Sequence, residues 1–319
     1  MSKFILRRTV VSVPTLVLIS FVIFAILALA PGDPLSQFAA NPAVPPEVRE
    51  NIRRSLGLDQ PWPVRYVKWL QSAAQGDMGW SFASRVPVFD LITQRLPTTL
   101  AVVGAAYLCS VLLAIPIGVV SALKRYTFFD QLVTTFAFIG FSVPTFFTGL
   151  LLIYVFSIQL GLLPFIYDSR VDWSTWEGLG AQIRQSTMPI AVLTLFQTAT
   201  LTRYVRAEML ENLPLDYVRT ARAKGLRPAT VVGRHVLRNS LIPVITLIAL
   251  GLPNVFAGAV ITEQIFRVPG IGELLIRSIQ NSDTPVVMAI TFIFSVLVVF
   301  FNLVADVVYA VADPRIRYD

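Results

Sequence analysis

One histidine, His235, one cysteine, Cys109, and a charged fraction of only 14% over 319 residues leave this chain poor in the side chains with which soluble enzymes do chemistry. A single cysteine excludes a disulfide framework within the chain, and a lone thiol inside an apolar run is expected as a small buried filler, not a nucleophile. With one histidine and no second cysteine there is no Cys/His metal cluster. No Gly-x-x-x-x-Gly-Lys-Ser/Thr stretch occurs, so the chain has no P-loop with which to hold ATP, and no Gly-x-Ser-x-Gly elbow offers a hydrolase nucleophile. Gly270-Ile-Gly272 follows Val268-Pro269 without a strand pattern before it and reads as a turn, not as a nucleotide fingerprint. No internal repeat of clear period is present.

What is there is apolar. Hydrophobic residues make up 55% of the chain, and soluble domains carry roughly 25% charge, so the composition is that of an all-α, multi-pass membrane protein. Runs free of Asp, Glu, Lys and Arg cover residues 9–32, 96–123, 131–167, 185–202, 239–262 and 284–305. A helix needs about 20 apolar residues to cross the hydrocarbon core, so each run can hold one span, six in all, with both ends of the chain on one side. The third run is broken by Gly161-Leu-Leu-Pro164, which leaves one span over about 132–160. Ala28-Leu-Ala30 resembles a signal-peptidase site, but the apolar run before it is too long for a signal peptide and Pro31 follows at once; 9–32 is expected to stay as the first span. Residues 1–33 are thus a short end plus this helix, 34–97 an outer loop, and 98–319 a five-helix core. In the outer loop, 46–56 and 64–73 have amphipathic helical patterns, and Trp62, Trp69 and Trp80, like Trp173 and Trp176 in the next outer segment, suit a membrane interface.

Orientation follows from the basic residues. With the N-terminus inside, the inner segments hold 15 Lys and Arg, eight of them between Arg203 and Arg238, whereas the short outer loops hold four: Arg170, Arg184, Arg267 and Arg277. The net charge of +7 is a topology signal with an attraction to anionic lipid, and nucleic acid is not the expected partner.

The segment 203–239 is the most informative. Asp216-Tyr-Val-Arg-Thr-Ala-Arg-Ala-Lys-Gly225 favours a short helix that Gly225 can end in the left-handed conformation, and Pro228 suits the first turn of a second helix that runs through His235-Val-Leu-Arg238 to Pro243. This segment resembles the EAA loop of the permease subunits of bacterial ABC importers, in the variant form with Arg219-Thr-Ala221 for Glu-Ala-Ala and His235-Val-Leu-Arg238 for Ile-x-Leu-Pro. Leu29-Ala-Pro-Gly-Asp-Pro34, Gly76-Asp-Met-Gly79, Arg95-Leu-Pro-Thr-Thr-Leu100, Ser142-Val-Pro-Thr-Phe146, Pro269-Gly-Ile-Gly272 and Asp313-Pro-Arg-Ile-Arg-Tyr318 extend the likeness to nearly the whole chain, which is similar to the first, B-type permease of the dipeptide/oligopeptide/nickel family.

The resemblance implies a type I ABC importer permease fold in a bacterial inner membrane, termini cytoplasmic. It implies a second homologous permease subunit, two ATPase subunits that bind the ATP and Mg while this chain holds no cofactor, and an external substrate-binding protein. Tyr217, Thr220, Ala221, Arg222, Ala223, Lys224, Gly225, Leu226, His235 and Arg238 are the expected ATPase-docking residues: Gly225 shapes the turn, Ala221 and Ala223 allow close packing, and Arg222, Lys224 and Arg238 meet polar or acidic edges. The same branch serves dipeptides, oligopeptides, glutathione and nickel chelates, with peptides the commonest case. Pro144, Gln197 and Asn254 are candidate lining of the path, although packing explains them equally; Pro116, Pro144 and Pro253 can kink their helices. Asp306 is read as interfacial or packing, with a proton relay as the alternative. The rival classes are a gradient-driven secondary transporter, for which neither a repeat nor a deep acidic residue is evident, and a membrane scaffold that transports nothing.

The charge asymmetry predicts that the Gly225 loop faces the cytoplasm. An Arg227→Cys chain in intact cells should resist an impermeant thiol reagent added outside and react once the membrane is opened; labelling from outside would reverse the orientation.

Overall fold

The structure, a computed structural model, describes residues 2–29, 46–55, 57–171, 174–257 and 259–312. Residues 30–34 of the expected N-terminal motif, Leu56, Trp173 and the closing 313–318 with Arg315 and Arg317 lie outside the described residues. Among the described residues there is no strand, only an isolated bridge between Trp80 and Pro87.

Helix α1 (Ser2–Leu29) is followed by two short outer helices, α2 (Pro46–Ser55) and α3 (Trp62–Ala74), near the amphipathic stretches expected at 46–56 and 64–73. Helix α4 (Val88–Leu123) passes through a π-helical turn at Leu100–Gly104. Helix α5 (Phe128–Ser142) meets α6 (Thr145–Leu152, continued by a π-helical Ile153–Gln159) at a sharp corner, and α7 (Trp176–Asn212) is one uninterrupted helix. Then come α8 (Asp216–Ala223) and α9, made of Pro228–Thr230, a π-helical Val231–Leu237 and Arg238–Ala257. Helices α10 (Val260–Phe266), α11 (Ile271–Gln280) and α12 (Thr284–Ala312) close the described chain.

By length and composition four helices among the described residues can cross a membrane, Arg7–Leu29, Val88–Leu123, Pro228–Phe256 and Thr284–Val307, with a fifth if α5 and α6 count as one broken span. Two expectations change. The third run is not a straight span: α5 and α6 are bent by 100°, because Pro144 caps α6 and pushes Val143 before it into extended backbone. The fourth run, expected as a sixth span at 185–202, is only the middle of the 37-residue α7, whose charged ends and inward Gln182, Gln185, Thr194 and Thr202 take it out of the clearly apolar class. Pro116 and Pro253, by contrast, sit inside continuous helices.

The second half of α4 packs along α7, where Thr194 Oγ1 donates to the Ala106 carbonyl at 3.3 Å, and α9 packs along α12. Helix α1 lies against α12 with α3 alongside, and its apolar window is only 6% buried, the exposure of a helix surrounded by lipid. Arg8 and Asp306 pair at 3.3 Å between α1 and α12, which agrees with a packing use of Asp306. Cys109 departs from the expected buried filler: it is exposed, in a groove between α4 and α7 with Ala101 and Ala105. An apolar run has no lengthwise signal for which of its faces will be covered.

The turn between α4 and α5 is closed by Asp130, 4% exposed at its side chain, which receives a bidentate pair from Arg206 of α7 at 2.7 and 2.8 Å, the Ser121 hydroxyl at 2.5 Å and the Tyr126 backbone N–H at 2.9 Å. Removing one partner of such a pair strands the other charge away from water, whereas replacing both need not. Arg206→Ala is therefore expected to destabilise the chain by about 3 kcal/mol, and Asp130→Leu combined with Arg206→Met to recover most of the loss. Thermal unfolding of the purified chain checks this; equal losses in the single and the double variant would refute the assignment.

Candidate functional site

At about 1.5 Å per residue, the 37 residues of α7 reach roughly 55 Å, more than a hydrocarbon core of about 30 Å requires. Its far end carries Glu208 and Glu211 and leads through Pro214 into α8. One face of α8 is buried: Val218 and Ala221 join a core with Val205 and Met209 of α7, Val231, Val236 and Val244 of α9, and Ala122 of α4. The loop is therefore anchored on the bundle. Its other face, Arg219, Thr220, Arg222 and Ala223, is exposed.

The end of α8 has the two hydrogen bonds of a Schellman turn, Gly225 N–H to the Arg222 carbonyl at 2.9 Å and Leu226 N–H to the Ala221 carbonyl at 3.4 Å, with Gly225 at φ +74°. That left-handed φ is why glycine stands there, because no atom would touch a Cβ at that position. Pro228 then opens α9, as its fixed φ and missing N–H suit a first turn. Residues 222–230 are exposed without interruption, and Leu215 and Leu226 add apolar points at 43% and 39% exposure.

Arg222, Lys224, Arg227, Arg234 and Arg238 have no ion-pair partner among the described residues, and the Arg219–Asp216 pair at 3.4 Å is so exposed that it neutralises little. Partial burial, and then the neighbouring Glu211, hold the Glu208 carboxyl above the ordinary carboxylate range. The result is a mostly cationic surface with two apolar contacts and an acidic edge, suited to docking a protein of opposite charge.

The expected docking residues divide by burial. Thr220, Arg222, Ala223, Lys224, Gly225, Leu226 and Arg238 are on the surface; Tyr217, whose hydroxyl donates to Asn212 Oδ1 at 2.8 Å, and His235 are half-buried. Ala221 is turned inward, where its small side chain allows close packing within this chain.

The expected path residues sit on different elements. Pro144 is at the α5–α6 corner, Gln197 is half-buried on α7, and Asn254 is exposed on α9. The corner instead borders an apolar cleft of about 490 Å³ between α5, α6 and α7, which includes Phe136, Val143, Thr145 and Val192. Thr198 and Thr202 face it with buried hydroxyl oxygens that have no hydrogen-bond partner among the described residues. Threonines within an apolar run carry no sequence signal that would have singled these two out.

An acidic residue that the sequence did not single out is buried within the protein, outside the apolar spans. Glu263 is 1% exposed; its carboxylate accepts from Thr99 Oγ1 at 3.2 Å, from the Glu273 N–H at 2.9 Å and from the Gly272 N–H, and burial pushes its pKa up. Thr99 Oγ1 in turn accepts from the Ile271 N–H at 2.8 Å. A Cβ at Gly270 would collide with the Glu263 carboxylate, so Pro269-Gly-Ile-Gly272 is more than a simple turn: it is a backbone cradle for a buried acid. Glu263 followed seven residues later by Gly270 was the available signal. Among the described residues no group of three His, Cys, Asp or Glu side chains could hold a metal.

Two family models cover the chain: the N-terminal part of the binding-protein-dependent transport system membrane component matches residues 1–103, and the binding-protein-dependent transport system inner membrane component matches residues 114–318. The oligopeptide transport system permease protein AppB of Bacillus subtilis (strain 168) is 41% identical over 100% of both chains. The probable peptide ABC transporter permease protein y4tP of Sinorhizobium fredii is 36% identical, again over 100% of both. A crystal structure of an amino acid ABC transporter with histidines superposes with a TM-score of 0.52 over 69% of this chain and 92% of that chain; at 15% identity it speaks for the fold alone. With both halves matched and whole-length relatives above 30% identity, the chain belongs to the family of binding-protein-dependent transport system inner membrane components, the permease subunits of ABC transporters.

Proposed function

We propose that this permease subunit forms half of the translocation path of an ATP-driven importer of di- and oligopeptides and takes its drive through the α8–turn–α9 element. The observation that carries the coupling role is the two-sidedness of α8: Val218 and Ala221 are sealed in the bundle core while residues 222–230 stay exposed and cationic. A partner that moves the exposed side displaces the ends of α7 and α9 together, a rigid-body switch. Peptide is the substrate class printed in the names of the full-length relatives. Two ATPase subunits, each holding ATP and Mg, a second homologous permease and an external binding protein complete the assembly, which sits in a bacterial inner membrane with the α8 turn and both chain ends in the cytoplasm. The chain itself catalyses nothing.

A gradient-driven transporter would need a carboxyl group that gains and loses a proton on the path. Glu263 is 1% exposed and held by the Thr99 hydroxyl and the Glu273 N–H, an arrangement that suits a fixed structural side chain and not one on an open path.

Gly225→Val tests the coupling role. A β-branched residue in the left-handed conformation is strained by about 1–2 kcal/mol and adds bulk to an open surface. The variant should insert and pair with the second permease, yet lose co-purifying ATPase and at least about tenfold of peptide uptake in vesicles; Leu226→Ala should be milder. Full ATPase content with normal uptake would refute it. A specific nucleotide photolabel on the isolated chain would contradict the division of labour, as no phosphate-cradling loop is present.

A further inference from the structure

We propose that the cleft between α1, α3 and α12 binds one anionic phospholipid, its phosphate held by Arg65 and Lys68 and the upper part of its chains lying along Phe24, Leu27 and Met288. The cleft has a volume of about 460 Å³ and a sharp division of character. Phe24, Leu27, Pro285 and Met288 form an apolar wall, and Gln60, Arg65, Lys68, Ser72 and Asp77 a polar one.

Three observations point to the ligand. Neither the Arg65 nor the Lys68 side chain makes an ion pair or hydrogen bond among the described residues; the Arg65 guanidinium only lies over the Phe24 ring, 5.9 Å from its centre, and burial pushes its pKa down. A half-buried cation without a counter-ion is costly, and an anion relieves it. Gln60 Oε1 and Trp69 Nε1, both on the cleft, are buried and without a hydrogen-bond partner among the described residues: one acceptor and one donor left open. A glycerol phosphate head satisfies both, its hydroxyl donating to Gln60 and an ester or phosphate oxygen accepting from Trp69. Asp77 is the one acid on the cleft, and its Oδ1 already accepts from the Gly79 N–H at 2.8 Å; two cations against one carboxylate leave a net positive charge for one phosphate.

The position suits a lipid as well. Helix α1 is almost bare along its apolar length, so the cleft can be entered sideways from the bilayer. The aromatic row Trp62, Phe21, Tyr66, Phe24 and Trp69 fixes α3 against α1, and Trp69 packs on Phe292 of α12 at 5.2 Å, so the polar wall is rigidly placed beside the apolar one. With the orientation proposed above this is the outer leaflet; the binding itself does not depend on that assignment.

The full chain, purified in mild detergent with its partner subunits, is titrated with dioleoyl phosphatidylglycerol or dioleoyl phosphatidylcholine and read by native mass spectrometry. One phosphatidylglycerol should be retained in preference to phosphatidylcholine. Arg65→Gln with Lys68→Gln should weaken it by about tenfold or more, the scale of two cation–phosphate contacts. Trp69→Phe should weaken it by a few-fold, and Asp77→Asn, which keeps an oxygen for the Gly79 N–H, should strengthen it. Arg170→Gln, at an exposed site elsewhere, should have no effect. Equal uptake of the two lipids, or no response to any cleft variant, overturns the proposal. If inorganic phosphate alone displaces the lipid at millimolar concentration the site is for a free anion, and if a tetrapeptide displaces it the cleft is a peptide site; either result also overturns it. Because two of the variants shift affinity in opposite directions, a general loss of folding cannot imitate the expected pattern.

Discussion

A carboxylate taken out of water has to be met by positive charge and donors, and Asp130 is the place where this requirement organises the most structure. Its four contacts come from α4, from the turn after it and from α7, so one side chain fixes the meeting of three helices. The bidentate fork from Arg206 sets the rotation of α7 as well as its distance. Val205 and Met209 on that same stretch of α7 form the floor on which α8 is packed. The proposed coupling surface is thus held by the joint that also holds α5, and α5 and α7 are walls of the apolar cleft at the Pro144 corner. Under the proposed coupling, a displacement delivered at α8 would reach the corner at Pro144 through these packed residues.

The other end of the chain is secured by the same chemistry. Asp283 stands just before α12 and accepts from Ser81 Oγ at 2.5 Å and from the Phe82 and Ala83 N–H groups at 2.9 and 3.3 Å. This stitches the outer segment to the core. Nearby, Glu263 gathers Thr99, Gly272 and Glu273, and Arg95 reaches Glu273 at 3.3 Å to tie α4 to α11. In each case a buried acid organises a turn of backbone that would otherwise leave N–H groups unpaired. Among the described residues the apolar helices supply the bulk of the packing, while these three carboxylates specify how the connections cross it.

Much of the candidate site was legible because it rests on local rules. The end of α8 at Gly225, the start of α9 at Pro228 and the surface position of the arginines follow from glycine's access to positive φ, proline's fixed φ and the solvation of charge. What was not legible depends on faces and angles. Ala221 and Ala223 are equivalent as letters, yet one is in the core and the other on the surface, because they lie two positions apart on a helix that buries only one face. Cys109 was misread and Glu263 passed over for the matching reason: the first faces a groove despite its apolar run, and the second is buried at the edge of one.

Hydropathy, helix stop signals and charge asymmetry depend only on neighbours along the chain, and from these the sequence by itself determined an all-helical membrane protein with a basic helix–turn–helix between apolar stretches. The tertiary structure alone decided that Ala221 enters the core, that Arg206 of α7 meets Asp130 of α5, and that Gly270 must yield its side chain to the Glu263 carboxylate. These features are set by contacts between residues far apart in sequence, whose energies, from desolvating an acid to filling a face, exist only once the helices have come together.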